Sequence, residues 1–109
     1  LSLSSDLKVF SGQKTVTAAG TVEALATGKP NEIRVKTVTI RAHVGNGGDV
    51  YVGDETVSSS VGYILSAGEV VTLEVDAEEW KQGLSINLSK IILDVGTSGE
   101  GVSYIGLRE

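Results

Sequence analysis

The sequence predicts a single all-β domain, an eight-stranded β-sandwich of jelly-roll type, with an immunoglobulin-like sandwich as the alternative packing. Three observations lead there. Apolar residues make up 40% of the 109-residue chain, yet aromatics are only 5%, so Val, Ile and Leu must build the core. These side chains suit a pleated, half-buried surface. Fourteen glycines against one proline supply many tight turns. Between those turns, short segments alternate polar and apolar residues with period two.

Residues 1–14 form a polar lead-in with one apolar cluster, Leu7, Val9 and Phe10. They read as an N-terminal arm or edge strand, ahead of a sandwich domain over 15–109. "TVTAAGTVEALA" (15–26) predicts two short strands about Gly20, and "TGKPNE" (27–32) a loop. In "IRVKTVTIRAHV" (33–44) the apolar positions run Ile33, Val35, then Val38, Ile40, Ala42 and Val44. The change of parity near Lys36–Thr37 predicts a bulge or a corner in a long strand. "GNGGD" (45–49) reads as a hairpin loop into "VYVG" (50–53), and "DETVSSS" (54–60) as a turn-rich connection to "GYIL" (62–65). "SAGE" (66–69) is a tight turn before the strand "VVTLEV" (70–75). "DAEEWKQG" (76–83) carries the one helical signal, with Asp76 as cap, Glu79 as its capping-box partner and Gly83 closing the turn. "LSKIILDVG" (88–96) and "GVSYIGL" (101–107) are the last strands, and the turn "TSGEG" (97–101) is expected to join them as an antiparallel pair.

The composition narrows the function classes. A net charge of −5 argues against a binder of nucleic-acid phosphates, which needs a basic stripe. The charge is uneven: residues 1–45 carry +3 and residues 46–109 carry −8. This reads first as ordinary solvated surface, since the halves of a sandwich interleave, and second as a positive patch on one subunit docking against a negative patch on another. No cysteine is present to form a disulfide, a thiolate nucleophile or a thiolate metal site. No run approaches the roughly 18 apolar residues of a membrane span, and "LSLSSDLKVF" lacks the basic and long apolar segments of a signal peptide.

Candidate chemistry is sparse. His43 stands alone at a strand end, without a Gly-x-Ser-x-Gly nucleophile elbow elsewhere in the chain. Asp49, Asp54 and Glu55 invite a calcium reading, but a strand separates Asp49 from Asp54, so they do not share a loop cage. Such Asp residues more often cap their own turns. "GNGGDVYVG" has no following helix and no Lys to make a phosphate cradle. Trp80 could anchor an interface, serve as a sugar platform, or cover a core edge. The residues therefore suggest a non-enzymatic domain without cofactor or metal, whose interface candidates are Leu7, Val9, Phe10 and Trp80.

Residues 48–75, "GDVYVGDETVSSSVGYILSAGEVVTLEV", followed by "LSKIILDVGTSGEGVSYI" (88–105), resemble a small domain of tailed-phage and prophage structural proteins. The resemblance rests on Val50–Asp54, Val57–Ser59, Gly62, Tyr63, Leu65, Gly68, Glu69 and Val71–Leu73, then Leu88–Ile91 and Gly99–Tyr104. Ala67 stands where that pattern carries a proline, and the connection 77–87 is longer than its counterpart. The resemblance implies a virion structural protein: a capsid decoration (cement) protein, or a head or tail accessory. It also implies a homo-oligomer, with a trimer favoured, bound to the major capsid protein or another virion protein. On that reading the run Val57–Ser60 is structural, and residues 1–14 add a strand to a neighbour. A carbohydrate-binding or host-recognition module using Trp80 is the alternative function.

Overall fold

The computed structural model describes residues 7–27 and 35–109. Eight strands form two four-stranded antiparallel sheets: β1 Lys8–Thr15, β2 Glu23–Ala24, β3 Val35–Ala42, β4 Val50–Gly53, β5 Tyr63–Leu65, β6 Val70–Glu74, β7 Ile92–Val95 and β8 Gly101–Arg108. One sheet has the order β1-β8-β3-β6 and the other β2-β7-β4-β5. The pairs β1·β8, β2·β7, β3·β6 and β4·β5 are all neighbours, so the chain is one long antiparallel hairpin wrapped into two layers. That is the jelly-roll arrangement, and it places successive strands in opposite sheets except at β4–β5.

This wrapping corrects two pairings expected from sequence. "GNGGD" does not close a hairpin, because β3 and β4 lie in different sheets. Nor does "TSGEG" join an antiparallel pair, since β7 and β8 are also in different sheets. A glycine-rich loop supplies the same chain reversal at a hairpin or at a corner between layers, so adjacency in sequence misleads here. In "LSKIILDVG", Leu88–Lys90 is a single 3-10 turn capped by Asn87, and the strand begins only at Ile92. Asn87 Oδ1 takes the Ser89 N–H and so favours the turn. Of the two strands expected about Gly20, the first does not form: β1 ends at Thr15 and residues 17–20 are bend and turn, while the second is the two-residue β2. Most of the predicted loop 27–32, and Ile33, lie outside the described residues.

The parity change in β3 is a bulge. Its pairing with β8 shifts register between Val35 and Thr37, which lets Val35, Val38, Ile40 and Ala42 all face the core. The bulge swings the Thr37 carbonyl over Gly106, where a Cβ would overlap that oxygen and the Phe10 ring. Two cross-strand pairs repeat one device: Phe10 lies over Gly106, and Tyr104 over Gly12. The two rings are tilted with centroids 6.3 Å apart and pack against the core edge. The core itself joins Val16, Leu25, Ile40, Val50, Leu65, Leu88, Leu93 and Val102 across the two layers. Each such side chain stabilises the fold by roughly 1.5–3 kcal/mol.

The short helix α1, Ala77–Lys81, carries the expected capping box: Glu79 N–H donates to Asp76 Oδ1, and Asp76 N–H donates to the Glu79 carboxylate. Gly83 ends it at φ 89°, a left-handed value that glycine takes without a steric cost. At the end of the sandwich where β1 turns to β2, three connections interlock. Gly47 and Gly48 N–H donate to the Glu100 carboxylate, Ala19 N–H to Ser98 Oγ, and Gly20 N–H to buried Asp94 at 2.8 Å.

Candidate functional site

The residues that sequence suggests for chemistry are dispersed. Asp49 precedes β4 and Asp54 follows it, so the length of a four-residue strand, about 3.4 Å per residue, separates them. Among the described residues, no three His, Asp or Glu side chains gather as a metal-binding group. Asp54 caps its own turn: Oδ1 accepts the Thr56 N–H at 2.8 Å and the Thr56 hydroxyl. These bonds, hydroxyl first, hold its carboxyl below the usual carboxylate range. His43 is half-buried, and its backbone N–H donates to the Gly101 carbonyl across β8.

The loop 54–62 is closed on itself. Ser58 Oγ accepts the N–H groups of Ser60 and Val61 at 3.1 and 3.2 Å, while Ser58 N–H bonds the Val61 carbonyl. Val57 is buried, its methyl groups seated against Gly53 and Gly62, where added Cβ atoms would press on Val57 Cγ2. Gly62 also adopts φ 144°. The hydroxyl run therefore satisfies the backbone of a hairpin loop that stays within one sheet.

The interface candidates sit apart from one another. Val9 is 66% exposed on β1, Leu7 is exposed just before it, and Phe10 turns inward against the core. Trp80 is half-buried on α1.

What the structure does assemble is the outer face of the β1-β8-β3-β6 sheet. Strand register sets its side chains in three rows: Val9–Leu107–Thr37–Glu74, Ser11–Ile105–Thr39–Thr72, and Gln13–Ser103–Arg41–Val70. Ile105 is 54% and Val70 50% exposed. The middle row carries no charge, and Thr39 and Thr72 hydroxyls bond each other at 2.9 Å. Ser103, the smallest residue of its row, floors an open concavity of about 400 Å³ bounded by Gln13, Arg41, Val70 and Ile105. Among the described residues Arg41 is the one cation lining it, and its Nε–H reaches the Gly68 carbonyl at 3.4 Å.

Sequence reasoning missed this face. The signal was present in the period-two alternation of Val9, Ser11 and Gln13 and of Ser103, Ile105 and Leu107, but β1 and β8 are far apart in the chain.

One flank of the sandwich is closed by charge. Lys14 Nζ on β1 meets Glu23 Oε1 on β2 at 2.8 Å, and Glu23 Oε2 takes the Thr17 N–H. The Lys14 bond, then the Thr17 bond, lower the Glu23 carboxyl below its ordinary range. No protein family, curated protein or solved structure matches the chain.

Proposed function

We propose that this chain is a non-enzymatic structural protein of a tailed-phage particle, a capsid decoration protein that binds the shell from outside and stiffens it. The observation that carries the reading is how the segment resembling phage structural domains is used. Its glycines, Val57, Asp54 and Ser58 are spent on closing the loop 54–62, so the shared residues build a scaffold. The scaffold then offers one broad surface, the outer face around Ile105 and Val70, whose apolar and hydroxyl groups suit a protein partner better than a solvent boundary. The partner is the major capsid protein or another virion protein, and the place of action is the virion.

The test is cosedimentation of the purified chain with phage shells that lack their decoration protein, paired with an Ile105→Asp variant. Binding of the wild-type chain, a gain in shell resistance to heat, and loss of both in the variant support the proposal. Failure to bind any shell, or binding indifferent to Ile105→Asp, counts against it.

The carbohydrate-module alternative has less support. The concavity beside Ser103 offers hydroxyl and guanidinium hydrogen bonds, but Trp80 is not among its lining residues. A glycan-dependent shift of Trp80 fluorescence is the observation that would revive it.

A further inference from the structure

β1 is the outermost strand of its sheet, and among the described residues nothing pairs with its outer edge. Val16 N–H donates to the Glu100 carbonyl and the Val16 carbonyl accepts from Gly99, so the Val16 backbone points toward β8. Backbone direction alternates along a strand, which turns Phe10, Gly12 and Lys14 toward β8 as well. Thr17, of the other parity, points away, and its N–H is taken by Glu23. The N–H and C=O groups of Val9, Ser11, Gln13 and Thr15 point the same way as Thr17. Among the described residues they have no partner, because β1 is the outermost strand of its sheet. β1 is eight residues long, as long as any strand of the fold, and holds neither a proline nor a bulge. Those are two of the devices that blunt a sheet edge; of the others, β1 carries charge only near its two ends, at Lys8 and Lys14, and its centre is uncharged.

We propose that two copies pair antiparallel through β1 about a twofold axis, joining their sheets into one. The sequence of β1 selects one register. Pairing that edge needs outward-pointing residues of one copy opposite outward-pointing residues of the other. Placing Ser11 opposite Gln13 and Val9 opposite Thr15 engages all four residues of each copy, about eight hydrogen bonds in total. Gly12 then faces its own counterpart on the axis, and Lys14 faces Phe10. Two neighbouring registers compete. Gln13 against Gln13 puts Val9 opposite Thr17, whose N–H Glu23 already holds. Ser11 against Ser11 puts Thr15 opposite Leu7, outside the strand, and brings Lys8 opposite Lys14. Like charges directly opposite are unfavourable. An edge paired with itself is necessarily twofold, so this assembly differs from the trimer that the phage resemblance implies. It does not depend on the virion reading.

The experiment is light scattering on the full chain over a wide concentration range, beside the Ser11→Pro variant. Proline fits an edge position whose N–H points to solvent, and Phe10 before it is already extended. A mass that doubles from 11.3 kDa with concentration, and no such rise in Ser11→Pro with an unchanged circular dichroism spectrum, is the expected result. Register is read in the otherwise cysteine-free chain by oxidising Ser11→Cys and Gln13→Cys chains. The mixture should cross-link, and Ser11→Cys alone should not. A monomer at every concentration, a trimer, or a dimer indifferent to Ser11→Pro overturns the proposal; cross-linking of Ser11→Cys alone overturns the register. None of these outcomes bears on shell binding, which the cosedimentation reads separately.

Discussion

The loop 54–62 and the strand β1 reverse the usual division of labour between loops and regular structure. Loops commonly carry the polar groups left open for function. Here the loop is largely tied to itself: the N–H groups of Thr56, Val57, Ser58, Ser60 and Val61 all have acceptors within it, and Val57 fills the space over Gly53 and Gly62. The strand is the unsaturated element, with four residues whose backbone groups face away from β8. In a small jelly roll, closing the chain at its turns leaves the sheet edges as the places where another chain can bind.

The sharpest way to break that contrast is within β1 itself. Gly12→Pro removes an N–H directed at β8 and should cost about 3 kcal/mol or more. Ser11→Pro, one residue away, should cost less than about 1 kcal/mol, since its N–H has no partner among the described residues. Urea unfolding of the two variants measures the difference, and equal costs would mean that the assigned backbone directions are wrong. In the loop, Gly62→Ala should cost about 3 kcal/mol, because it combines a disfavoured positive φ with contact on Val57 Cγ2. Val57→Ala should cost about 2 kcal/mol and spare the rest of the sheet, readable as a loss of slow amide exchange confined to residues 54–62.

The smallest effect is electrostatic. Glu23 and Asp54 have folded-state carboxyl pKa values below their unfolded ones. Their contribution is therefore fully present above the ordinary carboxylate range and is lost as pH falls through the lowered folded values. Glu23→Gln should be less stable than wild type at neutral pH, with the gap closing in acid. A gap that stays constant with pH would remove the Lys14–Glu23 pair from the account of this flank.

Much of this was legible in the chain. The switch of apolar parity at Lys36–Thr37 announced a bulge or a corner, and the register shift between Val35 and Thr37 shows that it is the bulge. The Asp76–Glu79 spacing announced the helix cap, and the turn chemistry of Asp54 was expected from its residue type. What could not be read was partnership across the layers. β1 meets β8 from the opposite end of the sequence, so the rows on the outer sheet face exist only once the long hairpin is wrapped. For the same reason the glycine loops at 45–49 and 97–101 passed for hairpins, although their strands lie in different sheets.

Residue-resolved amide hydrogen exchange at low and high protein concentration tests the comparison most directly. The account predicts that Thr56, Val57, Ser60 and Val61 exchange slowly at both concentrations. Val9, Ser11, Gln13 and Thr15 should exchange rapidly in dilute solution and become protected when the protein is concentrated. Protection of those β1 amides in the dilute chain, or rapid exchange throughout 54–62, would contradict it.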